Sequence, residues 1–262
     1  MIKRELLGKI ARTEDQRLLL GRVWDKYQRC RMKNLPEHTA FLTPQERELC
    51  RQMLGAIGAD EGFRFWGGYD GAERQQLHFL PDWTEEIQET AAALRCSWYE
   101  TEELTHRDLL GSLMGLGITR ESIGDILVDK TGHAADVLVT DTAVGFLRQE
   151  WTQAGRVKMQ VKPVELHDLH IPQTAFREIH DTVASLRLDN IVSTGFSLSR
   201  GKAAEAIEGG KVQVNWQDVT KSGANVATGD VITVRGLGKC ELVSVGNPTK
   251  KGRFFVTIKR YL

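Results

Sequence analysis

Apolar residues recur at helical spacing near the start of the chain. Leu19, Val23, Trp24 and Tyr27 stand among Arg17, Arg22, Lys26 and Arg29, which predicts a helix over 13–33, capped by Thr13 and stopped by Leu35-Pro36. Thr43-Pro44-Gln45-Glu46 opens another, with Thr43 as cap and proline at the first helical position. Strand patterns follow at Phe63–Trp66 and Gln75–Leu80, joined by the turn Gly67-Gly68-Tyr69-Asp70-Gly71. A small α/β unit is expected to end near Pro81.

The next segment alternates between the two periods. A strand is expected at Ala93–Trp98, and Thr105 caps a helix running through Met114. Short strands at Ile126–Val128 and Ala135–Val139 flank the turn Lys130-Thr131-Gly132-His133. Asp141 is read as the cap of a helix carrying Val144, Phe146 and Leu147, and Arg156–Val164 as a strand closed by Pro163. This β-α-β-β-α-β order is the ferredoxin-like pattern, which hosts many functions.

A polar connector, His167 to His180, precedes a third pattern. Leu188, Ile191 and Val192 share one face of a short helix, 187–193, and Thr194-Gly195-Phe196 turns the chain. Ser199 sits where an N-cap belongs, Ala203, Ala204 and Ile207 line the inner face of the next helix, and Gly209-Gly210 stops it. Strands are expected at Lys211–Asn215 and Val231–Arg235, then a hairpin of Glu241–Val245 and Phe254–Arg260 around residues 247–252. The fold class is thus α+β, with divisions expected at 1–82, 83–170 and 180–262.

Composition adds bounds. A chain of 262 residues with 41% hydrophobic and 27% charged residues suits two or three globular domains and argues against wholesale disorder. No run of about 18–20 apolar residues offers a membrane span. The first residues lack the apolar core of a secretory signal, and Cys30, Cys50, Cys96 and Cys240 form no C-x-x-C pair. A cytoplasmic monomer with free, buried thiols is expected.

Charge changes the picture more. Lys and Arg balance Asp and Glu at 35 each, yet residues 1–34 carry +6, residues 35–186 carry −12 and residues 187–262 carry +6. A basic tail suggests a polyanion partner, with a second basic surface or merely a solvated helix face at the N-terminus.

Motifs that imitate chemistry do not assemble. His106-Arg107-Asp108-Leu109 copies a kinase catalytic loop, but Leu113 stands where the metal-binding asparagine belongs. Gly115-Leu-Gly117 and Gly236-Leu-Gly238 lack a third glycine, and Gly201-Lys202 and Gly210-Lys211 lack a phosphate loop. His167, His170 and His180 have no convincing further zinc ligand. The glycines of the 67–71 turn could approach a phosphate backbone or simply make the turn. Trp66, Trp83, Trp98 and Tyr99 are expected mostly in the core. No catalytic residue, metal site or cofactor is assigned.

The tail resembles the S4 RNA-binding domain. The resemblance rests on Arg187-Leu188-Asp189 and Ser199-Arg200 opening two helices, on Gly209-Gly210 before Val212–Asn215, and on Gly229–Arg235. The middle, Thr105–Leu127, with Gly67–Arg74 and Arg235-Gly-Leu-Gly-Lys239, resembles the YlmH-like S4 proteins and their cyanobacterial relatives, the photosystem II S4 domain proteins. That resemblance implies an N-terminal α/β unit, an RRM-like middle domain and a C-terminal S4 domain, in a non-enzymatic protein binding ribosomal RNA and tRNA on the large ribosomal subunit, in rescue of stalled translation. Lys239 departs from a commoner Gly-Arg ending. Arg187, Ser199, Arg200, Lys202, Lys211, Asn215 and Lys221 are the candidate RNA contacts, Arg187, Arg200, Lys202 and Lys211 being expected free to point one way. Asn215 is expected to shape a turn as well, and Asp189 to orient its basic neighbours. Two other readings remain: an S4-linked pseudouridine synthase or methyltransferase, and a protein scaffold using the acidic middle. The lone Arg-Leu-Asp segment is consumed by the S4 helix, which weakens the first.

Overall fold

The threonines chosen by spacing do cap their helices. After α1 (Lys3–Ile10), α2 (Glu14–Lys33) starts at a reciprocal Thr13–Gln16 capping box and ends on Asn34 in the left-handed region. The same device, Thr43 with Glu46, opens α3 (Pro44–Ala56). The computed structural model describes residues 3–129, 133–172, 175–249 and 252–261. The turn expected at 130–133 and the tip of the 247–252 turn therefore fall largely outside the described residues. Two compact units divide the chain, Met1–Pro172 and Gln173–Leu262, so the division expected near residue 82 lies within the first.

In that unit β1 (Glu37–His38), β2 (Phe63–Trp66) and β3 (Gln76–Phe79) form an antiparallel sheet of order β1-β3-β2. Leu77 and Phe79 pack against Leu20, Val23, Met53 and Leu54 from the helices. The alternate residues of β3, Gln76 and His78, are also buried.

The ferredoxin-like order is present. The elements β4 (Ala91–Ser97), α4 (His106–Gly115), β5 (Ile123–Asp129), β6 (Ala134–Thr140), α5 (Asp141–Glu150) and β9 (Gln160–Val164) make a sheet of order β5-β6-β4-β9. Leu94, Leu109, Leu113, Val137, Leu147 and Trp151 fill its core. The strand expected at 156–164 is corrected to two pieces, β8 and β9, with a further short strand, β7, before them. Gly155, at φ 60, turns a small hairpin of β7 (Gln153–Ala154) and β8 (Val157–Lys158) before β9 begins. Pro163 is tolerated because β9 is an edge strand. Asp141 is the first residue of α5 rather than its cap, Thr140 standing before it, and Phe146 points outward at 45% exposure.

The turn Gly67–Arg74 ties these two layers together. The Asp125 carboxylate of β5 accepts from the Tyr69 hydroxyl (2.7 Å) and from the backbone N–H groups of Glu73 (2.7 Å) and Arg74 (3.0 Å). A Cβ on Gly68, at φ 94, would fall 2.4 Å from Leu138. Close packing therefore explains the glycine, and a phosphate is not needed.

The second unit is a six-stranded antiparallel sheet under two helices. Its elements are β10 (Phe176–Val183), α6 (Leu188–Gly195), α7 (Arg200–Glu208), β11 (Val212–Val214), β12 (Gln217–Asp218), β13 (Val231–Val234), β14 (Gly238–Pro248) and β15 (Phe254–Tyr261), in sheet order β10-β15-β14-β13-β11-β12. Leu188, Ile191, Val192, Ala203 and Ile207 bury against Ile232, Val234, Leu242 and Ile258. The polar connector is corrected in its last part: residues 176–180 belong to β10, an edge strand whose first half is exposed on both faces, which hides its alternation. Helix α6 runs through Gly195, where a Cβ would lie 3.0 Å from Cys240 Sγ, and the chain turns at Ser197 instead, at φ 53. All four cysteines are free and buried, and among the described residues no helix is long and apolar enough to cross a membrane.

Candidate nucleic-acid interface

The start of the second unit's helix pair brings together Arg187, Arg200 and Lys202 of the basic residues singled out above, with Lys211 at the far end of α7. Arg187 stands at the N-cap position of α6, and Ser199 caps α7 by accepting from the Lys202 N–H at 3.3 Å. Between them lies Asp189, 3% exposed. Its Oδ1 and Oδ2 accept from Arg187 Nε (3.1 Å) and Nη2 (2.9 Å), and Oδ2 also accepts from Arg200 Nε (3.1 Å). Burial opposes the charge on Asp189, but the bonds from Arg187 and Arg200 outweigh it and hold its carboxyl below the usual carboxylate range.

This corrects the expectation that Arg187 and Arg200 project free of the protein's own carboxylates. One carboxylate serves two guanidinium groups, so the triad keeps a net charge of +1. Each arginine has five N–H donors in a fixed fork, and the carboxylate uses one edge of it. The side chains stay 41% and 59% exposed. Asp189 thus fixes their orientation, as expected of it, at the cost of part of the field.

Lys202 and Lys221 are exposed beside this triad's elements. Lys221 opens the 221–226 segment, which packs on α6 through Ser222 O, accepting from Asp189 N (3.1 Å), and Ala224 O, accepting from Leu188 N (2.7 Å). Asn225 bridges to Arg187. Sequence reasoning missed this support because 219–226 has no periodic pattern. Lys211 is exposed after α7, its carbonyl accepting from Arg235 N at 2.8 Å.

Asn215 holds a turn. At φ 48 it begins a two-residue turn with Trp216 at φ 61, and its amide donates to Asp230 (2.8 Å) and accepts from Val231 N (2.9 Å). Each end of the amide makes a bond within the protein, so Asn215 shapes the turn, as expected of it.

Elsewhere the imitations dissolve. Thr105 and Asp108 form a capping box, so the His106–Leu109 run is a helix start. Among the described residues no three metal-ligating side chains gather. The N-terminal basic helix is largely neutralised: Lys26 and Arg29 reach Glu37 (3.5 and 3.3 Å), Arg31 reaches Asp82 (2.8 Å), and Arg17 reaches Glu14 (3.4 Å). Trp83 and Tyr99, expected in the core, are 64% and 78% exposed, the Trp83 indole donating to Asn34 O at 2.9 Å.

Known proteins share this layout. The family described as the putative RNA-binding domain in YlmH matches residues 99–168, and the S4 domain matches residues 186–232. The ribosome-associated protein quality control protein P2 of Bacillus subtilis (strain 168) is 35% identical over 225 residues, covering 85% of this chain and 86% of that protein. The solved structure of the cell division protein ylmH from Streptococcus pneumoniae superposes with a TM-score of 0.51 at 19% identity, over 62% of this chain and 98% of that one, a likeness of fold.

Proposed function

The chain belongs to the YlmH-like family of S4-domain proteins, and on that premise we propose that it binds structured RNA on the large ribosomal subunit, ribosomal RNA and tRNA being its partners, in the rescue of stalled translation. The observation that carries this reading is the Arg187–Asp189–Arg200 triad at the start of α7, beside Lys202. A carboxylate that aims two planar cations favours a ligand with fixed phosphate geometry over diffuse attraction. The first turn of α7 adds unpaired N–H groups and a positive dipole end, both suited to phosphate. Such contacts grip folded RNA by backbone and shape, with little reading of bases. The relative's printed name, a ribosome-associated quality control protein, agrees with that setting.

The protein acts by binding, as a monomer in the cytoplasm, and does no covalent chemistry of its own. The test is sedimentation with ribosomal subunits. The full chain is expected to travel with large subunits at low salt and to be released at high salt or after nuclease, without pseudouridine or methyl groups appearing in the RNA. Retention after nuclease would favour a protein scaffold, and modified nucleosides would favour an enzyme.

A further inference from the structure

The S4 match ends at residue 232, so β10, β14 and β15 lie outside it. Their open face carries a pattern of its own. Val256 and Ile258 are buried while Phe255 is 56% exposed, so Phe255, Thr257, Lys259 and Tyr261 face away from α6 and α7. The registers Phe176↔Tyr261, Glu241↔Lys259 and Thr233↔Lys239, with Arg235 N bonded to Lys211 O, align Phe176, Tyr261, Lys259, Lys239, Arg235 and Lys211 across one end of five strands. At about 4.8 Å per strand the row spans roughly 19 Å.

Cations and rings interleave along it. Lys259 Nζ lies 4.0 Å from the Phe176 ring centroid and 5.5 Å from that of Tyr261, and Lys239 Nζ lies 5.1 Å from Tyr261. Phe176 is 47% exposed on the edge strand. Among the described carboxylates of this face, Glu241 accepts from the Tyr261 hydroxyl (2.8 Å), Glu178 meets His180 (3.5 Å), and Asp218 accepts from Gln213 Nε2 (2.9 Å). A duplex would need only the charge. An exposed ring, Phe176, and a half-buried one, Tyr261, between lysines suit unpaired bases, which stack while their phosphates meet the cations.

We propose that this sheet end holds a single-stranded RNA segment, with Phe176 and Tyr261 stacking bases and Lys259, Lys239, Arg235 and Lys211 meeting phosphates. It deepens the RNA-binding reading and rests on it. The test uses the full chain with two RNAs, a blunt hairpin and the same hairpin with an eight-nucleotide oligouridine extension. Wild type is expected to bind the extended RNA roughly fivefold or more tightly than the blunt one. Phe176→Ala with Lys259→Gln should cut that advantage below about twofold while leaving blunt-hairpin binding nearly unchanged. Phe176→Tyr should keep the advantage, as should Phe255→Ala on the same strand but away from the row. Equal binding of both RNAs by wild type, or an advantage that survives the double variant, overturns the proposal. Should the double variant fail to fold, Lys259→Gln alone must still lower the advantage. Failure of the underlying reading looks different: the blunt hairpin itself would go unbound.

Discussion

Replacing Arg74 by alanine is expected to cost the first unit about 3–5 kcal/mol. This guanidinium is 7% exposed, and its Nε donates to Ile123 O (2.7 Å) while Nη2 donates to Phe41 O (3.2 Å) and Arg120 O (3.0 Å). Ile123 would keep a bond from Arg120 Nη1 (3.1 Å), but the other two carbonyls would lose this donor. Each buried carbonyl left unpaired costs about 1–3 kcal/mol, and the vacated volume adds to that. Burial, aided by Arg120, pushes the Arg74 pKa down to about 10, so the group remains charged at neutral pH. Lysine should restore less than half, because a single ammonium cannot span three carbonyls. Hydrogen exchange resolves the outcome: protection should fall in β5 and around residues 67–75 and stay unchanged in the second unit. Uniform protection in the alanine variant would refute the tie.

The next largest effect is a loss of stability in mild acid. His78 is 3% exposed, its Nε2 bonds to no protein atom among the described residues, and its ring stacks 5.8 Å from that of His38. Burial, and then the facing His38, pushes its pKa from 6.5 down to about 4. Between those values the unfolded chain takes up a proton that the folded chain refuses. Stability therefore falls as pH drops from about 6.5 to about 4, by about 3 kcal/mol in total, and this term is flat on either side. His78→Leu removes both the unpaired nitrogen and the titration. Urea unfolding at pH 7.5, 5.5 and 4.5 should show a steeper decline for wild type than for the variant. Parallel declines would exclude His78 as the cause.

Helix starts and the order of elements in the middle segment were legible because they are local. Thr13, Thr43, Thr105 and Ser199 each bond an N–H three residues on, and the middle sheet announces itself by alternation. What escaped was set by distant partners. Arg74 looks like a surface residue until carbonyls 33 and 49 residues away surround it. Strand β10 escaped because its exposed half mixes polar and apolar residues without a buried face. The basic helix α2 stayed open between a second basic surface and a solvated face because Glu37 and Asp82, which pair with it, follow in loops and short strands. At the candidate site the residue types were readable, whereas the sharing of Asp189 between arginines at 187 and 200 required the fold.

The salt dependence of binding to the blunt RNA hairpin, compared between wild type and the Arg200→Ala/Lys202→Ala variant, bears most directly on the interface. Two lost phosphate contacts should lower the log–log slope by roughly 1.4–1.8 and weaken binding at least about tenfold at moderate salt, with folding intact. An unchanged slope and affinity would place the RNA on some other surface.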